Sequence, residues 1–170
     1  MSTGTLVSLE EYLAATYEPD CDYVDGHLEE RNVGEWDHAR LQGRILALLL
    51  HYEAQGLIAL PELRLRVSAS RFRVPDVCVF SRDPDQAVPS TPPVLCVEVL
   101  SPEDRMSRIE VRINDYLAMG VHAVWVLDPE TRQAFTATAA EGLREVKSEV
   151  LSLENPMIML PLSDVFQVLP

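Results

Sequence analysis

Hydrophobic spacing changes period several times along this chain. Ser8-Leu9-Glu10-Glu11 has the form of a capping box, in which Ser8 accepts from the first amides and Glu11 reaches back, so a short helix to about Tyr17 is expected. Asp22–Glu29 alternates around Asp25-Gly26, the strongest two-residue hairpin signal. From Trp36 to Gln55, Leu41, Ile45, Leu48, Leu49 and Tyr52 recur at helical spacing, and Gly56 closes that helix. The period then becomes two. Leu63, Leu65 and Val67 alternate with Arg64, Arg66 and Ser68, and Phe72, Val74, Asp76, Cys78 and Phe80 share one face of a following strand, Arg73–Phe80.

Ser81–Pro93 holds four prolines and reads as a loop. Val94–Leu100 is an apolar run interrupted by one carboxylate, which predicts a strand buried on both faces. Ser101-Pro102-Glu103-Asp104 predicts a helix start with Pro102 in the first turn, running to Met119 and stopping at Gly120. His122–Pro129 predicts another buried strand and turn. Thr131–Thr138 and Leu143–Leu151 predict a hairpin through Glu141-Gly142, Met157–Leu160 a short strand, and Leu162–Val168 a terminal turn. The alternation of helices and strands predicts one α/β domain over residues 1–170, built on a mixed sheet. Residues 1–35 form its N-terminal helix and hairpin, 36–130 its core, and 131–170 its C-terminal hairpin and tail.

With 47% apolar and 24% charged residues, the 170-residue chain is ordinary globular material. Its net charge of −13 argues against a protein that grips nucleic acid by bulk electrostatics. The charge is uneven, however. Residues 1–62 carry a net −9, whereas residues 63–112 hold 8 of the 14 bases, so a polyanion would be met in the middle segment. No apolar run approaches the ~20 residues of a membrane span. Met1–Leu13 has neither the basic start nor the apolar core of an export signal. Three cysteines without paired spacing, Cys21, Cys78 and Cys96, fit packed thiols in a reducing cytoplasm.

Two carboxylates lie where strands should be apolar: Asp76, just after Pro75, and Glu98 within Val94–Leu100. A buried carboxylate is costly unless paired or bound to a metal. The plain explanation is an internal ion pair with an arginine such as Arg66. The alternative follows from two such groups on consecutive strands. Neighbouring strands lie roughly 4.8 Å apart, so both side chains can converge on one cation, and oxygen-only ligation suits Mg²⁺ or Mn²⁺.

Val74-Pro75-Asp76-Val77 followed by Val97-Glu98-Val99-Leu100-Ser101-Pro102 resembles the PD-(D/E)xK nuclease superfamily, and more closely the Uma-type restriction endonuclease family. The likeness extends over about residues 8–130. It takes in Tyr23-Val24-Asp25-Gly26 with Leu28-Glu29, His38 opening the long helix, Tyr116, Gly120-Val121, and Trp125-Val126-Leu127-Asp128-Pro129. The resemblance implies a restriction-endonuclease-like core, a mixed central β-sheet flanked by helices. It implies a metal held by Asp76, Glu98 and the backbone carbonyl of Val99, and hydrolysis of phosphodiester bonds. The superfamily's lysine, two positions after Glu98, is here Leu100. The family's helical lysine position, four before the tyrosine, is here Arg112. Arginine can clamp a phosphate but cannot serve as a base. His38 matches the family's helix-start histidine and is expected to orient a water or phosphate.

Other residues have weaker claims. Glu29 could approach the cleft, Tyr116 is expected to pack with its hydroxyl at the rim, and Lys147 reads as exposed. His27, His51 and His122 lack partner spacing. Ser101 has no histidine near it in sequence, and no Gly-x-Ser-x-Gly elbow exists. Arg64, Arg66, Arg71 and Arg73 could line a phosphate groove or balance the protein's own acids. These readings converge on a Mg²⁺- or Mn²⁺-dependent DNA endonuclease with Asp76, Glu98, Arg112 and His38 in its site. The alternative is a non-catalytic binding or assembly module on the same fold. A homodimer is expected by analogy, and a second protein could dock on the acidic N-terminal region.

Overall fold

A computed structural model describes residues 6–32 and 34–170; the first five residues of the stretch read for an export signal lie outside them. Ser8 caps α1 (Leu9–Ala14) by accepting the Glu11 amide at 3.2 Å. That helix ends at Ala14, short of Tyr17, because Ala15 turns extended. The hairpin forms as expected from β1 (Cys21–Val24) and β2 (His27–Glu30), with Asp25 and Gly26 both at positive φ, 50° and 91°. The long helix α2 covers Trp36–Leu50 and tightens into a 3-10 turn over His51–Gln55, with Gly56 left-handed at φ 83° as its cap.

The region of period two departs most from expectation. A strand the alternation does not announce, β3 (Ile58–Pro61), lies at a sheet edge, where Pro61 is tolerated at the strand end. The strand expected over Arg73–Phe80 is two strands in two sheets, β5 (Arg71–Arg73) and β6 (Val77–Phe80). The break has a local cause. Pro75 has no amide to donate, and the Val74 amide goes to the Asp22 carboxylate at 2.9 Å instead of to a strand. Asp76 therefore sits at the break, not inside a strand.

A four-stranded sheet runs β2-β1-β5-β4, with β4 only Leu65–Arg66. The central sheet has six strands, completed by β7 (Leu95–Val99), β8 (Ala123–Asp128), β9 (Gln133–Thr138) and β10 (Gly142–Glu145), in the order β10-β9-β8-β7-β6-β3. It is mixed: β7 and β8 are parallel, joined by α3 (Met106–Met119), and every other neighbouring pair is antiparallel. The expected Leu143–Leu151 arm stops at Glu145. Its remainder becomes β11 (Val150–Leu153), paired with β12 (Ile158–Pro161) ahead of α4 (Leu162–Phe166). The α/β architecture is thus a mixed central sheet flanked by helices. Among the described residues no helix is long and apolar enough to cross a membrane.

Strand alternation decides what reaches the site. Val77, Val79, Leu95, Val97, Val99, Trp125 and Leu127 face one way, onto Leu41, Ile45 and Leu49 of α2. Cys78, Phe80, Cys96, Val124 and Val126 face the other way, onto Ile109, Ile113 and Tyr116 of α3. Glu98 belongs by parity to the second set, which aims its carboxylate at α3.

Candidate active site

The register Val77↔Val97, extended one step outward, sets Asp76 opposite Glu98. Both side chains are buried, at 2% and 1% exposure. Asp76 Oδ2 accepts the Val99 amide at 2.7 Å. Its Oδ1 accepts Arg31 Nη2 at 2.6 Å and lies 3.5 Å from His38 Nε2. Burial works against ionising Asp76. The His38 contact, the charges of Arg31 and His38, and the Val99 amide outweigh it and hold the carboxyl below the ordinary range. Glu98 behaves in the opposite sense. Burial pushes its carboxyl up to about 7; Arg112 opposes the rise and the charge of Asp76 adds to it.

Residues on α3 complete the surroundings of Glu98. Tyr116 donates to Oε1 at 2.6 Å and Arg112 Nη1 to Oε2 at 3.2 Å. Residues 112 and 116 lie one turn apart on one helix face, which is why both reach one carboxylate. Arg112 is thus turned inward from the helix, and its Nε also lies 3.4 Å from Asp22. The Tyr116 hydroxyl, expected at the rim, is fully buried on Glu98. Helix α3 starts at Met106, later than predicted. Ser101–Asp104 is instead a turn, with the Ser101 amide donating to Asp104 Oδ2 at 2.7 Å.

His38, in the first turn of α2, enters from the other side. Its Nδ1 lies 3.2 Å from Ser101 Oγ. Gly34 passes so near the ring that a Cβ there would lie 3.0 Å from it, which ties that glycine to the seating of His38. Burial depresses the imidazole's proton affinity, but Asp76 overcomes this and raises it. The resulting Asp76–His38–Ser101 line resembles a nucleophilic triad, which distance in sequence concealed. Its chemistry differs: the Ser101 amide, a natural oxyanion donor, is already committed to the Asp104 carboxylate.

Arg31, Asn32, His38, Asp76, Val99, Ser101, Asp104 and Arg112 enclose a gap of about 10 Å³, room for about one water. Arg31 and Asn32 are the cleft residues that sequence reasoning missed. Both follow directly on the hairpin, and neither stands out by pattern. A larger cavity of about 720 Å³ lies by the C-terminal hairpin. Its cations are spent on neighbouring acids, Arg144 on Glu141 and the exposed Lys147 on Glu145, and none of the acids lining it is buried, so the small cleft is the stronger candidate.

The remaining expectations fall outside this cleft. Arg71 and Arg73 balance the protein's own acids, Asp25 and Asp115 for Arg71 and Asp22, Glu29 and Asp115 for Arg73. Glu29 is occupied by Arg73. Arg64 and Arg66 stack on Tyr12 and Phe72, so Arg66 is not the partner of either buried carboxylate. Among the described residues His51 and His122 meet backbone carbonyls, of Ala47 and Asn155.

Among the described residues no three His, Cys, Asp or Glu side chains gather at one point. A divalent ion would rest on the two carboxylates, a backbone oxygen and water. That hard-oxygen set would suit Mg²⁺ or Mn²⁺.

No curated protein matches the chain. Among solved structures it is similar to one described as a "putative nuclease belonging to DUF820" from Anabaena variabilis ATCC 29413. The two are 21% identical, with a TM-score of 0.83 over 96% of this chain and 99% of that one. At that identity the likeness establishes the fold. The Uma2 family model, described as "Putative restriction endonuclease", matches residues 9–167. With nearly the whole sequence matched by that model, the chain belongs to this nuclease-type family.

Proposed function

We propose that the protein is a divalent-metal-dependent DNA endonuclease. The observation that carries this reading is the placing of Asp76, just before β6, opposite Glu98 of β7, both buried and each with a guanidinium on it. Asp76, Glu98 and the carbonyl of Val99 would hold Mg²⁺ or Mn²⁺, which when bound lowers the pKa of an attacking water and neutralises phosphate charge.

The chain's own residues do the rest. Arg112, fixed between Glu98 and Asp22, offers a permanent positive charge to the pentavalent phosphate and moves no proton. Tyr116 holds the Glu98 carboxylate in one orientation. His38, anchored by Ser101, orients a water or phosphate oxygen beside Asp76. The free edge of β10 is available for pairing two copies that cut two strands, and three buried free thiols accord with a cytoplasmic setting. Part of the N-terminal acidity is spent internally on Arg71 and Arg73, which leaves less of it for a second protein.

The test is cleavage of plasmid and linear DNA with Mg²⁺ or Mn²⁺ by wild type, Asp76→Ala, Arg112→Ala and Arg112→Lys. Expected are metal-dependent cutting, its loss by about a hundredfold or more in Asp76→Ala and Arg112→Ala, and partial retention in Arg112→Lys. Absence of cutting and of metal binding in all four would overturn the reading and leave the non-catalytic module.

A further inference from the structure

Arg31 follows β2 and sends its guanidinium into the cleft, where it donates to Asp76 Oδ1, the oxygen that the Val99 amide does not use and that also lies 3.5 Å from His38 Nε2. Arg112 has two carboxylate partners, Glu98 and Asp22, and is fixed by them; Arg31 has one. Among the described residues, Arg31 Nε is buried without a hydrogen-bond partner. A donor left unsatisfied beside a gap of about 10 Å³ is costly, and it marks a place for an oxygen that is not part of the chain. The backbone at this point is tied on both sides. The Arg31 amide donates to Asp20 O at 3.1 Å, and Asn32 Nδ2 to Asp104 Oδ1 at 2.9 Å. The part free to rearrange is the side chain.

Leu100, where the superfamily's lysine would stand, packs into the apolar cluster against α3 and offers nothing to a phosphate. We propose that Arg31 is an exchangeable cation of the site: it neutralises Asp76 in the metal-free protein, yields that oxygen to a divalent cation, and turns its guanidinium onto a phosphate oxygen of the bound nucleic acid. This rests on the nuclease reading and deepens it. A divalent cation and the Arg31 guanidinium repel strongly when both are at contact distance from one carboxylate oxygen, so metal and Arg31 compete for Asp76. A guanidinium released beside the metal carries a planar fork matched to phosphate, and its unused Nε is one tine. The exchange keeps positive charge on the buried acids at every stage.

The competition gives the substitution an unusual signature, since Arg31→Gln should improve one binding event and impair another. Mn²⁺ binding is measured by calorimetry, and binding of a fluorescein-labelled DNA duplex in Ca²⁺ by anisotropy, for wild type, Arg31→Gln, Arg31→Lys and Asp76→Ala, each checked for folding by near-UV dichroism. Arg31→Gln is expected to bind Mn²⁺ about tenfold tighter and the duplex about tenfold more weakly. A merely structural role weakens both. Should Arg31→Gln not fold, Arg31→Lys keeps the charge and loses the fork. It is expected to bind Mn²⁺ as wild type does and the duplex several-fold more weakly, and wild-type duplex affinity there overturns the proposal. Mn²⁺ binding that depends on Asp76 yet is unchanged or weaker in folded Arg31→Gln overturns this inference alone. No Mn²⁺ binding in any protein overturns it together with the nuclease reading.

Discussion

Two clusters of buried charge lie side by side in this molecule, and they are built on opposite plans. In one, Arg73 stands at 1% exposure among Asp22, Glu29 and Asp115, with contacts of 2.7–3.0 Å to each. Nε donates to Asp115, and Nη2 lies 2.8 Å from the same oxygen, off hydrogen-bond alignment. These bonds join the N-terminal hairpin, β5 and α3. In the other, Asp76 stands opposite Glu98 in the strand register, each with its own guanidinium, and Asp76 lies beside a gap that Arg31 also lines. The first cluster surrounds a buried cation with three acids. The second brings like charges together beside a small gap. Close packing of opposite charges fixes an architecture; crowding of like charges with room beside them keeps a site receptive to a ligand.

The sharpest way to break this contrast is to remove the cation from the packed cluster. Arg73→Met leaves three acids facing one another. It is expected to cost about 3–5 kcal/mol of stability in urea denaturation, and Mg²⁺ should not restore it. A loss no larger than that of Arg31→Gln would erase the distinction between the two clusters. A smaller effect is expected within the cleft. Tyr116→Phe removes a 2.6 Å donor from Glu98 without changing the packed ring. A buried acceptor deprived of one partner costs about 1–3 kcal/mol. Because Arg112 still reaches Oε2, the loss should fall short of that in Arg73→Met. Unchanged stability in Tyr116→Phe would show that the hydroxyl is not holding Glu98.

The packed cluster was the harder of the two to read from the chain. Alternation placed Arg71 and Arg73 on one face, yet phosphate groove and self-neutralisation look identical until the partners, Asp22, Asp25 and Asp115, are seen to come from distant segments. The cleft was more legible because its carboxylates violate local expectation: Glu98 breaks an apolar strand, and strand pairing then implies its neighbour. What period-two spacing cannot supply is the point where a strand ends. By its spacing Arg73–Phe80 reads as continuous; Pro75, which has no amide to donate, and the diversion of the Val74 amide to Asp22 split it. Arg31 and the Ser101–His38 contact were invisible for the same reason, being set by how a hairpin exit and a helix start meet across the sheet end.

The smallest expected effect concerns protons, and it tests whether the cleft is short of positive charge. The fold holds Glu98 at about 7 against an ordinary 4.5, chiefly through burial. A raised acid favours its protonated form in the folded state. That contribution is complete below about 4.5 and is lost as pH rises through about 7, so folding stability should fall across this window and level off above it. His38, whose proton affinity Asp76 raises, also loses stabilisation as pH rises, so wild type alone does not separate the two. Glu98→Gln does, because it keeps the side-chain shape and removes the titrating group. In EDTA, the difference in unfolding free energy between wild type and Glu98→Gln should move in the variant's favour from pH 5 to pH 7.5, by at most about 2 kcal/mol. On the nuclease reading, saturating Mg²⁺ should cancel that drift in wild type alone, since a cation at the carboxylates favours the ionised form that burial opposes. Parallel curves in EDTA would mean that Arg112 and Tyr116 already compensate Glu98 fully, and the cleft would then belong with the packed cluster rather than opposite it.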